Sequence, residues 1–489
     1  MLQGVMDRKT GLVLLAVLML GLFLRTYCLT CESLWLDEGY SVLWAKQAPP
    51  EMIDAVSRDV HPPLYFLILH YWIGLFGDSE AAIRLLSVIF GSLAIIMIYM
   101  VGSRLFGRDT GILCSLMLSL SVLHVHYSQE IRGYSLMVLL TLVSMYFFLK
   151  LLENRSNPVR AGYIISSALL MYTHFFGLFV IAAQNVYVAY LFLSSGKARA
   201  WLREWIVLQS ALFVIYLPWL GFLVRQAMVV QGGEFLGWLP GPSLYQLAAT
   251  FFEYSGYFNA SAPLWVTLLS AALSVILIAL SISSALRMRE SERGKAVFLS
   301  AWLFTLILLP FIISQFSAPI YLARFTMPAS LAFYILAARG ITGIRRKALR
   351  LASICLIAAL SFAAVWGYYT VTDNEQWREA VAHIEANAEH GDLALINTWY
   401  CHIPFDYYFT RQDLVTVDLF PKWDYAADEE NIKALPDAVQ GYGRVWLVLS
   451  HDGDPHGLIR SMLTEELSYG IAEDRQYYGI ELYLFEKEI

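Results

Sequence analysis

Eleven long apolar stretches dominate this chain of 489 residues, at 11–29, 82–103, 110–127, 133–152, 161–175, 176–194, 204–224, 264–286, 296–314, 325–341 and 350–369. A bilayer core is about 30 Å thick and a helix rises about 1.5 Å per residue, so ~20 apolar residues cross it. Lipid offers no partners to backbone N–H and C=O groups, so such stretches must be helical. The expectation is a polytopic α-helical membrane protein with about 11 transmembrane helices and membrane lipids around it. Hydrophobic residues make up 58% of the chain and charged residues 15%, which excludes an ordinary soluble domain. A net charge of -6, with the basic residues scattered through short loops, gives no support to a nucleic-acid partner.

Sidedness turns on Pro62–Gly77. This apolar segment is 16 residues long, opens on two prolines and contains His70, which suits an interfacial or re-entrant helix better than a span. With that segment excluded and the N-terminus in the cytoplasm, 19 of the 26 basic residues before position 373 fall in cytoplasmic loops, as the positive-inside rule requires. Asp37, His61, Glu130, the 226–262 loop, Arg324 and the C-terminus then lie on the extracytoplasmic side of the cell membrane. The first apolar run reads as a retained signal anchor, with Arg25 snorkelling to the far interface.

From about Asp373 the composition turns soluble. Helix-like stretches at 375–389 and 429–439 alternate with strand-like Leu393–Ile396, Val445–Leu449 and Glu481–Phe485, the pattern of a small α/β domain. Two domains are expected: a membrane domain over 1–372, whose first extracytoplasmic loop of about 30–80 carries interfacial helices, and an extracytoplasmic α/β domain over 373–489. Of five cysteines only Cys28 and Cys31 are close. Their Cys-x-x-Cys spacing is compatible with a disulfide, half a zinc site or neither; no second ligand pair follows, so a metal is disfavoured there.

Polar clusters interrupt the apolar pattern, two of them in the first loop. Leu34-Trp35-Leu36-Asp37-Glu38-Gly39-Tyr40-Ser41 follows the first helix, and His61-Pro62-Pro63-Leu64-Tyr65 follows 24 residues after Asp37. The junction of two spans reads His124-Val125-His126-Tyr127-Ser128-Gln129-Glu130-Ile131-Arg132-Gly133-Tyr134. Ionisable groups at membrane depth are costly, so Glu130, Arg132 and Tyr134 suggest a pocket-lining helix start, against the plainer reading of a self-neutralising Glu–Arg pair. His174 before Phe175 and Phe176, and Tyr321 with Arg324, rank second, because a lone interfacial histidine is commonly structural and a lone arginine often a headgroup anchor.

Leu34–Ser41, His61–Tyr65, Arg84-Leu85-Leu86-Ser87 leading to Gly91, and Ser128–Tyr134 resemble, in order and spacing, the glycosyltransferase family 39-like membrane proteins. These are GT-C enzymes of the protein O-mannosyltransferase and aminoarabinose transferase type, and the likeness covers roughly residues 10–340. It implies a GT-C-type fold and inverting transfer of a sugar from a polyprenyl-phosphate donor to an extracytoplasmic protein, lipid or glycan acceptor. It also implies Asp37 as catalytic base and Glu130 as the second-loop acid. Glu38, His61, Arg132, Tyr134, His174, Tyr321 and Arg324 become substrate-binding candidates, although Phe325 replaces a tyrosine that relatives carry after the arginine. Asp37, Glu38, His61, Glu130 and His174 are also of the types that bind a divalent metal, and spacing leaves that open. The alternative, a transporter or flippase of lipid-linked glycans, fits less well because the charges gather at one interface and not at the midplane.

Overall fold

The structure is a computed structural model that describes residues 7–194, 198–231, 241–418, 431–451 and 453–488. Part of the 226–262 loop lies outside the described residues. The chain packs as two compact units, one of Met1–Leu29 with Trp44–Val371 and one of Thr30–Leu43 with Thr372–Ile489. The second unit thus takes in Thr30–Leu43, a stretch that sequence alone reads with the first loop.

The membrane unit is helical. Its elements are α1 (Arg8–Thr26), the end of α2 (Leu36–Lys46), α3 (Pro49–Arg58), α4 (Leu64–Phe76), α5 (Glu80–Phe106), α6 (Arg108–Leu120), α7 (Val122–Gln129), α8 (Tyr134–Glu153) and α9 (Asn157–Thr173). They continue with α10 (Phe176–Ser194), α11 (Ala198–Gln231), α12 (Leu244–Glu253), α13 (Leu264–Arg287), α14 (Arg293–Phe316), α15 (Met327–Thr342) and α16 (Lys347–Thr370). Among the described residues, eight helices are long and apolar enough to cross a membrane, or nine if the bent pair α6–α7 is one span. The other two expected spans are α9 and α15, of 17 and 16 residues, about 25 Å each and short of the hydrocarbon core. Helix α15 is buried along nearly its whole length, so it packs within the bundle. Helix α4 is 13 residues long, about 20 Å, and matches the non-spanning reading of Pro62–Gly77.

Arg25 overturns one expectation. It does not snorkel: it is fully buried. Its guanidinium donates to Leu118 O at 3.0 Å, Ser119 O at 3.4 Å, Gly21 O at 3.1 Å and Ser128 Oγ at 3.1 Å. Leu118 and Ser119 sit in the last turn of α6, where carbonyls lose their helical partners because the chain bends 57° into α7. Arg25 fills those orphan acceptors, and Ser121 caps the new helix by accepting from His124 N. Gly91 makes room for the same junction, since a Cβ there would stand 2.1 Å from Ser128 Oγ and 3.1 Å from Arg25 Nε.

The second unit is an α/β domain. Strands β1 (Leu393–Asn397), β2 (Val415–Asp418), β3 (Arg444–Ser450), β4 (Tyr469–Tyr477) and β5 (Ile480–Lys487) form one sheet in the order β2-β1-β3-β5-β4. Strands β2, β1 and β3 are parallel, and β5 runs antiparallel to both β3 and β4. Alternate residues feed two cores: Leu393, Leu395, Val445 and Leu447 on one face, Ala394, Ile396, Trp446 and Val448 on the other. Helices α17 (Trp377–Asn387) and α18 (His402–Tyr408) cover the second face through Trp377, Val381, Ile384 and Phe405. A sheet buried on both faces explains why its inner strands read as unbroken apolar runs. Thr30–Leu43 joins this unit by specific bonds: Leu34 N donates to Tyr408 Oη at 2.7 Å and Ser33 Oγ to Glu379 Oε2 at 2.9 Å.

Candidate active site

The backbone is irregular from Glu130 to Gly133, between α7 and α8. Non-helical backbone at membrane depth is tolerated only where protein buries it or it lines a cavity. Here it is buried, with Glu130 6% and Arg132 5% exposed. Glu130 Oε1 meets His126 Nε2 at 2.9 Å, one turn back on α7. Its other oxygen, Oε2, is buried with no partner, an uncommon state for a carboxylate oxygen and typical of a site awaiting a donor.

Arg132 ends a three-membered chain. Its Nη2 stands 2.9 Å from His61 Nε2, and His61 Nδ1 stands 2.7 Å from Asp59 Oδ1. A guanidinium only donates, so His61 Nε2 is an acceptor and the ring proton is on Nδ1, directed at Asp59. His61 is therefore held as one neutral tautomer. Burial alone would raise the Asp59 carboxyl. The hydrogen bonds from His61 and the Val60 N–H, with the Arg132 charge, outweigh it and hold Asp59 below the usual carboxylate range. Gln226 Nε2 on α11 closes over the loop, donating to His61 O and Val56 O, both at 3.4 Å.

An aromatic wall adjoins this chain. The His174 ring lies 6.2 Å from that of His61, 5.9 Å from Tyr134 and 5.2 Å from Phe325. Tyr134 stacks on Phe325 at 6.3 Å and meets Tyr127 edge-on at 4.8 Å. His174 Nδ1 accepts from Phe176 N at 3.1 Å, and its Nε2 is buried without a partner. The Arg324 guanidinium lies 5.6 Å from the Phe325 ring centre. Phe325 thus takes part in the wall although it lacks the hydroxyl of a tyrosine. Tyr321 turns to Thr250 instead, with 2.6 Å between the hydroxyls.

The membrane unit therefore brings His61, Arg132, Tyr134 and His174 together around Phe325, with Arg324 and Glu130 flanking. Tyr321 is committed to α12. Asp37 and Glu38 belong to the other unit, in the first turn of α2, where carboxylates suit the positive end of a helix dipole. Glu38 is fully buried, and Gly39 is tight against Ile403, 3.0 Å from a would-be Cβ. Cys28 and Cys31 are disulfide-bonded, leaving no zinc half-site. Among the described residues, no three His, Cys, Asp or Glu side chains form a group that could hold a metal ion.

Two residues were missed. Asp59 orients His61, and the signal was its position two residues ahead in the same polar run. Glu253 closes α12; burial pushes its carboxyl up, against the pull of the Arg324 charge. Its signal was isolation, since it is the only carboxylate between Glu234 and Glu290.

Residues 60–222 match the family model described as dolichyl-phosphate-mannose-protein mannosyltransferase. The fold is similar to that of ArnT from Cupriavidus metallidurans, solved bound to undecaprenyl phosphate, with a TM-score of 0.62, 14% identity and 98% of each chain covered. It is also similar to the oligosaccharyltransferase AglB from Archaeoglobus fulgidus, solved with an inhibitory peptide and a dolichol-phosphate. There the TM-score is 0.57 at 12% identity, over 97% of this chain and 74% of that one. The arabinofuranosyltransferase AftD from Mycobacteria matches with a TM-score of 0.52 and 14% identity, over 99% of this chain and 42% of that one. No curated protein matches in sequence. The family model carries the enzyme class and the solved structures carry the fold: the chain is a membrane glycosyltransferase with the GT-C fold.

Proposed function

We propose that the protein transfers a sugar with inversion from a polyprenyl-phosphate donor to an extracytoplasmic acceptor, at the outer face of the cell membrane. The observation that carries this reading is the half-buried Asp59–His61–Arg132 chain, which ends on the irregular turn after α7, beside a carboxylate oxygen that lacks a partner. Arg132 is presented with its orientation fixed, as recognition of a phosphate leaving group requires. Arg324 supplies a second cation. The lipid phosphates present in the ArnT and AglB structures support a donor of the same class for this chain.

In the proposed reaction the acceptor oxygen attacks the anomeric carbon and the bond from that carbon to the phosphate oxygen breaks. The acceptor proton passes to the Asp37 carboxylate, and the lipid phosphate leaves with its charge met by Arg132 and Arg324. Glu130 Oε2 accepts from a sugar hydroxyl, which supplies its missing donor. The role of Asp37 rests on the sequence resemblance, and that of Glu130 also on its unpartnered oxygen.

The test is a transfer assay on purified protein with a panel of labelled polyprenyl-phosphate sugars and membrane acceptors. Asp37→Asn is expected to lower turnover by roughly 10²–10⁴-fold in protein that remains folded, and Glu130→Gln to lower it less. Near wild-type turnover by Asp37→Asn removes Asp37 from the mechanism. Movement of labelled lipid across acceptor-free liposomes, with no transfer, favours a flippase instead.

A further inference from the structure

The α/β domain holds a second carboxylate–imidazole chain, which the glycosyl transfer does not use. It lies at the carboxyl ends of the adjacent parallel strands β1 and β3. After β1 the chain turns to the face covered by α18, and after β3 it turns to the opposite face, where Ile459 and Leu463 pack. Open α/β sheets bind ligands at such a divergence of the strand ends.

Cys401, just beyond β1, has its Sγ 3.9 Å from Nδ1 of His451, the residue after β3. His451 Nε2 is 2.9 Å from Glu375 Oε1, and the other oxygen of Glu375 accepts from Trp377 Nε1 at 2.5 Å. Ser450 Oγ also lies 3.1 Å from His451 Nδ1. The Ser450 hydroxyl already spends its hydrogen on Gly479 O at 2.8 Å, so toward His451 it can only accept. Nδ1 must then carry a proton for Ser450, and Nε2 must carry one for the Glu375 carboxylate. Hydrogen bonding alone makes His451 an imidazolium, next to a sulfur.

The site is built around that charge. Gly479, at φ +74°, has no side chain to meet Glu375, where a Cβ would stand 2.7 Å from Cγ. Thr398 Oγ1 is 3.5 Å from Cys401 Sγ, and the Tyr400 ring stands edge-on to His451 at 5.4 Å. At the end of β1, fully buried Asn397 has its Oδ1 without a partner while its Nδ2 binds Gly453 O. Among the described residues, the titratable groups against His451 are Glu375, Cys401 and Tyr400. The Cys401 residue is 1% exposed and the His451 side chain 38%, so the imidazole is the solvent-facing member of the pair.

We propose that Cys401 is held as a thiolate by the His451 imidazolium, oriented by Glu375, and is a modification site for small disulfides. A thiolate beside a cationic histidine is the form that reacts. The same chain carries the Cys28–Cys31 disulfide. In the step, Cys401 Sγ attacks one sulfur of the disulfide, a new S–S bond forms, the old one breaks, and the departing thiolate takes a proton from solvent.

The test uses the full-length protein in detergent. Iodoacetamide labelling of Cys401 is followed by peptide mass spectrometry from pH 5.5 to 8, with oxidised glutathione in a parallel arm. An unperturbed thiol with a pKa of about 8.5 gains more than ~100-fold in rate across that range. Cys401 is expected to gain less than about threefold and to form a mixed disulfide with glutathione at pH 6. His451→Gln should restore the steep profile, and Glu375→Gln should steepen it in part. A steep wild-type profile, an unchanged profile in His451→Gln, or no labelling and no adduct at Cys401 each overturns the proposal. The wild-type profile decides the matter even if a variant fails to fold.

Discussion

His61 in the membrane unit and His451 in the α/β domain each stand between a carboxylate and a third group, and they end in opposite states. His61 faces Asp59 and Arg132; His451 faces Glu375 on one side and Ser450 with Cys401 on the other. The guanidinium has only hydrogens to offer, so it demands a lone pair and fixes His61 as neutral. A hydroxyl whose hydrogen is spent elsewhere demands a proton, so it fixes His451 as charged. The lesson is that the third partner, acting with the carboxylate, sets the protonation of an imidazole. A neutral ring can position a cation, whereas a charged one can activate a nucleophile.

The strongest blow to the comparison is Arg132→Ala, which removes the third partner from the first chain. We expect transfer to fall by roughly 10²–10³-fold, measured as kcat on the labelled donor, with His61 no longer bound to one tautomer. Asp59→Asn acts at the other end and is expected to cost roughly ten- to a hundredfold, with Asp59→Glu recovering part of the loss. The Asp59 carboxyl is depressed in the fold, so its stabilising contribution is present above its ordinary pKa and lost as pH falls through the lower folded value. Wild type and Asp59→Asn should therefore converge in stability only below about pH 4.

Gly91→Ala sharpens the comparison by disturbing the scaffold of one chain alone. The new Cβ crowds Ser128 and Arg25, and a loss of about 1–3 kcal/mol in thermal or denaturant stability is expected, with the Cys401 pH profile untouched. The smallest effect concerns the other histidine. The Cys401 and Glu375 hydrogen bonds raise the His451 pKa to about 10, against the effect of burial. Its contribution is complete below the ordinary histidine pKa near 6.5 and disappears as pH rises toward 10. Hydrogen-exchange protection at the ends of β1 and β3, taken relative to the intrinsic rate at each pH, should fall over that window in wild type and stay flat in His451→Gln.

Much of this was legible because apolar length and basic loops are local signals. Hydrophobic runs located the helices, and the two runs that fell short, 161–175 and 325–341, became helices too short to cross alone. Glu130, Arg132 and Tyr134 stood out because charges at membrane depth need a reason. What sequence could not show depends on distant pairing. Thr30–Leu43 joins the α/β domain through residues more than 340 positions away, and Glu375 meets His451 across 76 positions of chain. The role of Asp59 shows only in its bond to His61, which is itself bonded on its other side to Arg132, 71 positions away. Arg25 was misread because snorkelling is the usual escape for an arginine near a helix end, and nothing local reveals that α6 breaks at Ser121 to offer it carbonyls.

That clamp bears on the order in which the molecule is built. Helix α1 leaves the ribosome before α6 exists, and an arginine in an isolated membrane helix costs at least ~2.5 kcal/mol while it lacks acceptors. Arg25 acquires them only when Leu118, Ser119 and Ser128 arrive, nearly a hundred residues later. Until then the first helix is an unfinished insertion that gains by waiting at a wet or protein-lined site, and the arrival of the bent pair α6–α7 both releases it to the lipid and sets the turn that bears Glu130 and Arg132.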